Sequence, residues 1–200
     1  FTTAGLSFPV QGSAAFNGTS DFIQTDNPFS HTNHTIAAWC YVKDDANTKI
    51  IFDNRDAGDD GVLFTFGGSE TLRYELNTSN VGDSTILSNE WHFISATYDG
   101  TTQRLYIDGS QVNSATTSQT INTTTNAVIG ARTFSTPANY FNGNLANVAI
   151  WNRALSSDEI NSVMWKPVQA LSATESNGLQ AWYSLDDIAS PTASLASMEQ

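Results

Sequence analysis

Residues 91–110, "WHFISATYDGTTQRLYIDGS", constrain the fold more than any other stretch of this chain. Trp91, Phe93, Ser95 and Thr97 alternate with His92, Ile94, Ala96 and Tyr98, a run rich in aromatic and β-branched residues that reads as a strand buried at least in part on both faces. Asp99-Gly100 begins a reversal, residues 103–107 form a second strand, and Asp108-Gly109 is a pair that tolerates positive φ in a two-residue hairpin. Two consecutive hairpins make an antiparallel meander, and in this reading the duty of the two Asp-Gly pairs is topological.

Similar runs recur along the chain: "SAAFNG" with "DFIQT", "TIAAWCYVK", "KIIFDN", "GVLFTFGG", "TLRYELN", "AVIGAR", "FNGNLANVAIWN" and "GLQAWYSLDD". Gly, Asn and Asp clusters separate them at short intervals, and no alternating helices are present to build a parallel sheet. The expected fold is therefore all-β, an antiparallel β-sandwich of the jelly-roll kind. One short helix interrupts the pattern in "ALSSDEINSVMW", where Ser156 and Glu159 have capping-box spacing and Ile160, Val163 and Met164 share a face. It is expected to plug one end of the sandwich.

The predicted organisation is one jelly-roll domain over residues 1–165, a polar connector over 166–178, an additional strand closing the sheet over 179–188, and a tail or linker over 189–200. The chain has 8 Lys and Arg against 20 Asp and Glu, a net charge of −12, which argues against nucleic acid as a partner because phosphate binding rests on displacing counterions with cations. No run approaches the ~18 apolar residues of a membrane span, so no membrane insertion is expected. Cys40, the single cysteine, lies in an apolar strand run and reads as a small buried hydrophobe.

The order of these pieces resembles the laminin-G-like domains of the concanavalin A-like lectin/glucanase superfamily, of the kind found in phage virion proteins and bacterial surface proteins. The matching pieces are "AAFNGTSDFIQT", "HTIAAWCYV", "NEWHFISATYDGTTQRLYIDGSQV", "AVIGAR" and "YFNGNLANVAIWNRALSSDEI", over residues 13–163. "GLQAWYSLDD" resembles the strand that commonly opens such domains, although here it follows the helix. It either closes the sheet from the C-terminal side or begins a second module. The resemblance implies a non-catalytic surface module at a virion surface or an extracellular one: a virion structural, decoration or appendage protein with a lectin-like fold that binds glycans. The alternative is a calcium-dependent glycan-binding module of a secreted or cell-surface protein. Its partners would be a glycan or a protein surface.

Candidate site residues follow from the residues and from the resemblance. Glucanases of this superfamily carry Glu-x-Asp-x-Glu on one strand; here Glu70 and Glu75 are five apart, on opposite faces of a regular strand, and no enzymatic activity is expected. Asp53, Asp56, Asp59 and Asp60 share a Gly-containing loop that lacks the order of an EF-hand and reads first as an acidic solvated turn, although its oxygens suit Ca2+, the one cofactor expected. Related domains hold calcium with an acid near the Trp-rich strand, here Asp186 or Asp187, and a second group where this chain has Asn147. His31 and His34 read as solvated loop imidazoles, too few for zinc. A sugar needs an aromatic platform with fixed polar groups beside it. Trp39, Trp91, Trp151 and Trp182 lie in strand patterns and read as core, which leaves Trp165, Phe134, Tyr140, Arg55 and Arg132 as expected ligand contacts.

Overall fold

The computed structural model describes residues 12–43, 48–67, 71–83, 88–132, 138–186 and 192–194. Two seven-stranded sheets form the sandwich. Sheet A contains β1 (Ala14–Asn17), β3 (His34–Val42), β8 (Trp91–Tyr98), β9 (Thr102–Ile107), β10 (Ser110–Thr116), β12 (Asn142–Trp151) and β13 (Leu179–Tyr183), in the order β1-β12-β3-β8-β9-β10 with β13 also on β12. Sheet B contains β2 (Phe22–Pro28), β4 (Lys49–Asp53), β5 (Val62–Phe66), β6 (Leu72–Leu76), β7 (Ser79–Asp83), β11 (Asn126–Ile129) and β14 (Thr192–Ser194), in the order β14-β2-β11-β4-β5-β6-β7.

The meander forms as the sequence dictates, with β8, β9 and β10 antiparallel in succession. Asp108 and Gly109 both take positive φ in the second turn. The Asp108 carboxylate accepts from the Phe93 backbone N–H, and Asp99 accepts from Thr101, Thr102 and Arg104 in the first turn. Both acids are turn builders.

The inward rows interdigitate between the sheets. Ile36, Ala38, Cys40 and Val42 of β3, Ile94, Ala96 and Tyr98 of β8, and Leu145, Val148 and Ile150 of β12 pack on Val62, Phe64 and Phe66 of β5 and Leu72, Tyr74 and Leu76 of β6. A bulge between Ala146 and Ala149, with Asn147 at φ 49°, lets Leu145 and Val148 both point inward. His34 is not a solvated imidazole: it is fully buried, and its Nε2 lies 2.5 Å from the Tyr74 hydroxyl.

A second apolar cluster covers the outer face of sheet A. Ala37, Trp39, Phe93, Tyr106, Ala149 and Trp151 meet Leu155, Ile160, Val163 and Met164 from helix α1 (Ser157–Val163) and its flanks. The helix therefore lies flat on sheet A and does not plug an end, because the alternate positions of β3, β8 and β12 are themselves apolar and need covering. Its capping box forms as the spacing predicts, Ser156 Oγ accepting from Glu159 N and Glu159 Oε2 accepting from Ser156 N. Four tryptophans belong to this cluster rather than to the inter-sheet core: Trp39 and Trp151 are buried, and Trp91 and Trp182 are partly so.

Residues 166–178 are more ordered than a connector. They hold a 3-10 turn (Val168–Ala170) and helix α2 (Ala173–Ser176), whose own capping box pairs Ser172 with Glu175. Glu175 also accepts from Lys166 Nζ at 2.5 Å, and its backbone carbonyl accepts from the Trp151 indole at 2.8 Å. Strand β13 then pairs antiparallel with Val148–Trp151 of β12, and β14 pairs parallel with β2 in what reads as tail from sequence.

Candidate functional site

The outer face of sheet B is polar where the outer face of sheet A is apolar. Strand register aligns Gln24, Val128, Asp53, Leu63, Glu75 and Asn80 in one row across β2, β11, β4, β5, β6 and β7. The next row aligns Ile50, Thr65, Arg73 and Gly82. Between the walls raised over these rows lies a cleft of about 390 Å³. Ile50, Leu63 and Thr65 line its floor; Arg73 and Glu75 of β6, Arg55 and Asp59 of the β4–β5 loop, and Arg132 and Asn139 from the β11–β12 connection line its sides.

Arg55 anchors the loop. Asp53 Oδ1 accepts from its backbone N–H at 3.0 Å and from its Nε at 3.3 Å, while Nη1 donates to Glu75 Oε2 at 3.2 Å. Asp59 Oδ1 lies 3.5 Å from that same Nη1 and 3.5 Å from Arg132 Nη2, so one carboxylate faces two guanidinium groups. The Arg55 side chain is 8% exposed and that of Asp53 is 0%, which keeps this pair out of bulk screening. Asn54 Oδ1 accepts from Val62 N–H, and Gly61 sits at φ 140° where a Cβ would fall 2.9 Å from Arg55 Cα. Only glycine lets the loop return this close to Arg55.

Of the remaining acids, Asp56 serves the loop's own backbone and Asp60 ties the loop to the chain at residue 122. Asp56 Oδ1 accepts from Gly58 N–H at 2.8 Å and Asp60 N–H at 3.1 Å, and Asp60 Oδ1 accepts from Asn122 N–H at 3.1 Å. Asn147 does likewise elsewhere: its Oδ1 accepts from the Trp182 indole at 3.3 Å and its N–H donates to Ser184 O, tying the bulge to β13. Asp186 is exposed near that strand, and Asp187 lies outside the described residues. Among the described residues no three His, Cys, Asp or Glu side chains gather as a metal-ligating group.

The expected ligand contacts separate. Arg55 and Arg132 converge in the cleft. Tyr140 follows Asn139 and packs its ring 6.5 Å from that of Phe22, an outward residue of β2, at the flank of the same face. Trp165 is 42% exposed but stands on the opposite sheet, with its ring 5.6 Å from Trp39. Phe134 lies outside the described residues. Sequence reasoning missed Arg73 as a site residue and took Glu75 only as a possible catalytic acid. The signal was available in "LRYEL", where Arg73 and Glu75 alternate with three apolar residues and so share the outward face of a strand.

The family model for the concanavalin A-like lectin/glucanases superfamily, of the laminin G type, matches residues 17–161. This chain belongs to that family. Laminin G-type chains need not share ligands, and the solved structures similar to this one are too distant in sequence to show more than the fold. A putative carbohydrate-binding protein from Bacteroides ovatus is 18% identical with a TM-score of 0.68, covering 90% of this chain and 53% of its own. This chain thus spans about half the length of that protein. A heptameric SAP-like pentraxin from Limulus polyphemus is 18% identical with a TM-score of 0.60, over 76% of this chain and 81% of its own. The CBM40 of a Ruminococcus gnavus IT-sialidase, solved with α2,3-sialyllactose, is 12% identical with a TM-score of 0.61, over 76% of this chain and 97% of its own. No curated protein matches the sequence.

Proposed function

We propose that this laminin G-type chain is a non-catalytic glycan-binding module and that its sugar site is the cleft on the outer face of sheet B. The observation that carries the reading is the gathering of Arg55, Arg73, Arg132, Asp59, Glu75 and Asn139 over an apolar floor, with the Phe22–Tyr140 ring pair on the flank. Fixed polar groups beside aromatic and aliphatic surface are what a pyranose requires. The fold shared with a putative carbohydrate-binding protein and with a module solved on sialyllactose supports the same reading. Asp59 and Glu75 both hold Arg55, a positioning duty within the cleft. The module works at a virion or extracellular surface, where glycans are displayed.

A glycan array run on the chain and on two variants tests this. Binding is expected to fall at least ten-fold in Arg132→Ala and to persist in Trp165→Ala, which alters the opposite face. The bound glycans are expected to be recovered uncleaved. Loss in Trp165→Ala with retention in Arg132→Ala moves the site to sheet A. A chain that binds no glycan and self-associates is instead an assembly unit of a virion or surface structure.

A further inference from the structure

We propose that the sugar residue taken by this cleft carries a carboxylate, and that Arg73 holds it. The inference rests on the glycan-binding reading and names the substrate class of the same site. Three of the chain's five arginines line this one cleft, in a molecule of net charge −12. Outside the cleft Arg104 is paired with Asp99, Arg153 with Glu159 and Lys166 with Glu175.

The three guanidinium groups differ in what they are free to do. Arg55 is buried and fixed by Asp53, Glu75 and Asp59, so its charge is already met. Arg132 has a side chain 35% exposed and lies 3.5 Å from Asp59. Arg73 is exposed and makes no ion pair with any described residue. It is nonetheless well placed. Gly82, its cross-strand neighbour, leaves room for its stem, a Cβ there falling 3.3 Å from Arg73 Cγ.

A planar guanidinium donates two parallel N–H bonds to the two oxygens of a carboxylate, a match that a neutral sugar hydroxyl does not offer. With Asp59 and Glu75 directed at Arg55, the acids of the cleft do not cancel Arg73. Thr48 and Asn139 line the same cleft and can meet the hydroxyls of the same sugar.

The test is isothermal titration of the chain with lactose, 3′-sialyllactose, a galacturonate trisaccharide and lactose 3′-sulfate. The wild type is expected to bind at least one carboxylate-bearing probe ten-fold or more tightly than lactose and than the sulfate ester. Arg73→Gln, at an exposed position whose melting temperature is followed in parallel and expected to hold, is expected to remove that advantage, so that the carboxylate-bearing probe binds no more tightly than the sulfate ester. Equal binding of carboxylate and sulfate probes overturns the inference by showing charge attraction without recognition of the planar group. Lactose bound as tightly as the acids, in a manner lost in Arg132→Ala, overturns it while the glycan-binding reading stands. Absence of binding to every probe and to a full array overturns both.

Discussion

His34 shows how much one side chain settles inside this sandwich. Its Nδ1 lies 2.9 Å from His31 O and 3.1 Å from Thr32 O; carbonyl oxygens only accept, so Nδ1 carries the proton and Nε2 accepts from the Tyr74 hydroxyl. Burial pushes His34 down to about 4 and drives Tyr74 upward. Above pH ~6.5 the imidazole is neutral whether the chain is folded or unfolded. As the pH falls below that, the unfolded chain takes a proton that the folded chain refuses until about pH 4. Stability should therefore decline by about 3 kcal/mol across that window. Glu175 acts lower on the scale. Its bonds from Lys166, then Ser162 and the Ser172 backbone, bring it down to about 2, so its contribution is complete above its ordinary value of 4.5 and is lost as the pH falls toward 2. Urea unfolding at pH 7, 5.5 and 4.5 checks the histidine window: the wild type should weaken, and the double variant His34→Leu/Tyr74→Phe should hold level. A level wild type would show that the buried imidazole does not govern this range. The period-two pattern already pointed inward at residue 34, two before Ile36 and four before Ala38. The reading erred by starting the strand after the histidine and not at it.

At the scale of elements, helix α1 depends on the sheet beneath it more than on itself. Seven residues are too few for a helix to persist alone in water, so the packing of Ile160 and Val163 on Trp39, Trp151 and their neighbours is what holds it. Ile160→Ala should cost about 2–5 kcal/mol, and Ser156→Ala, which removes the cap, about 1 kcal/mol. Denaturant midpoints measure both, with m unchanged if the sandwich itself stays intact. The existence of the helix and its cap are legible in sequence; its place is not, since an amphipathic face says that something is covered and not what covers it. The hint lay in the strands: "HTIAAWCYV" is apolar on both faces, as a strand covered on both sides must be. Helix α2 escaped because it is four residues long with no apolar stripe, although Ser172 and Glu175 have the same spacing as Ser156 and Glu159. Strand β13 marks a further dependence. A chain lacking residues 179–200 should lose amide-exchange protection along Val148–Trp151, the segment it pairs, before protection falls in the β8–β9–β10 meander.

For the molecule as a whole, the division of labour between the two outer faces follows from the alternation in their strands. Apolar outward residues bring helix α1 onto sheet A, and polar outward residues leave sheet B open. The acids of residues 53–60 were legible as a cluster, but their direction was not: register across β4, β5 and β6 turns Asp53, Asp59 and Glu75 toward Arg55, and no spacing rule reveals that. Because those acids surround a guanidinium, addition of a chelator should leave both melting temperature and glycan binding unchanged. A drop in either on chelation would reinstate calcium at this loop or at Asp186. One further consequence lies in β12, which has β3 along one edge and both β1 and β13 along the other. Its two edge partners come from opposite ends of the described chain, so sheet A stays open during synthesis until residue 183 has cleared the ribosome. The local β8–β9–β10 meander can order first, but the long-range closure over β12 must wait, and the tryptophan-bearing face remains within reach of chaperones in the interval.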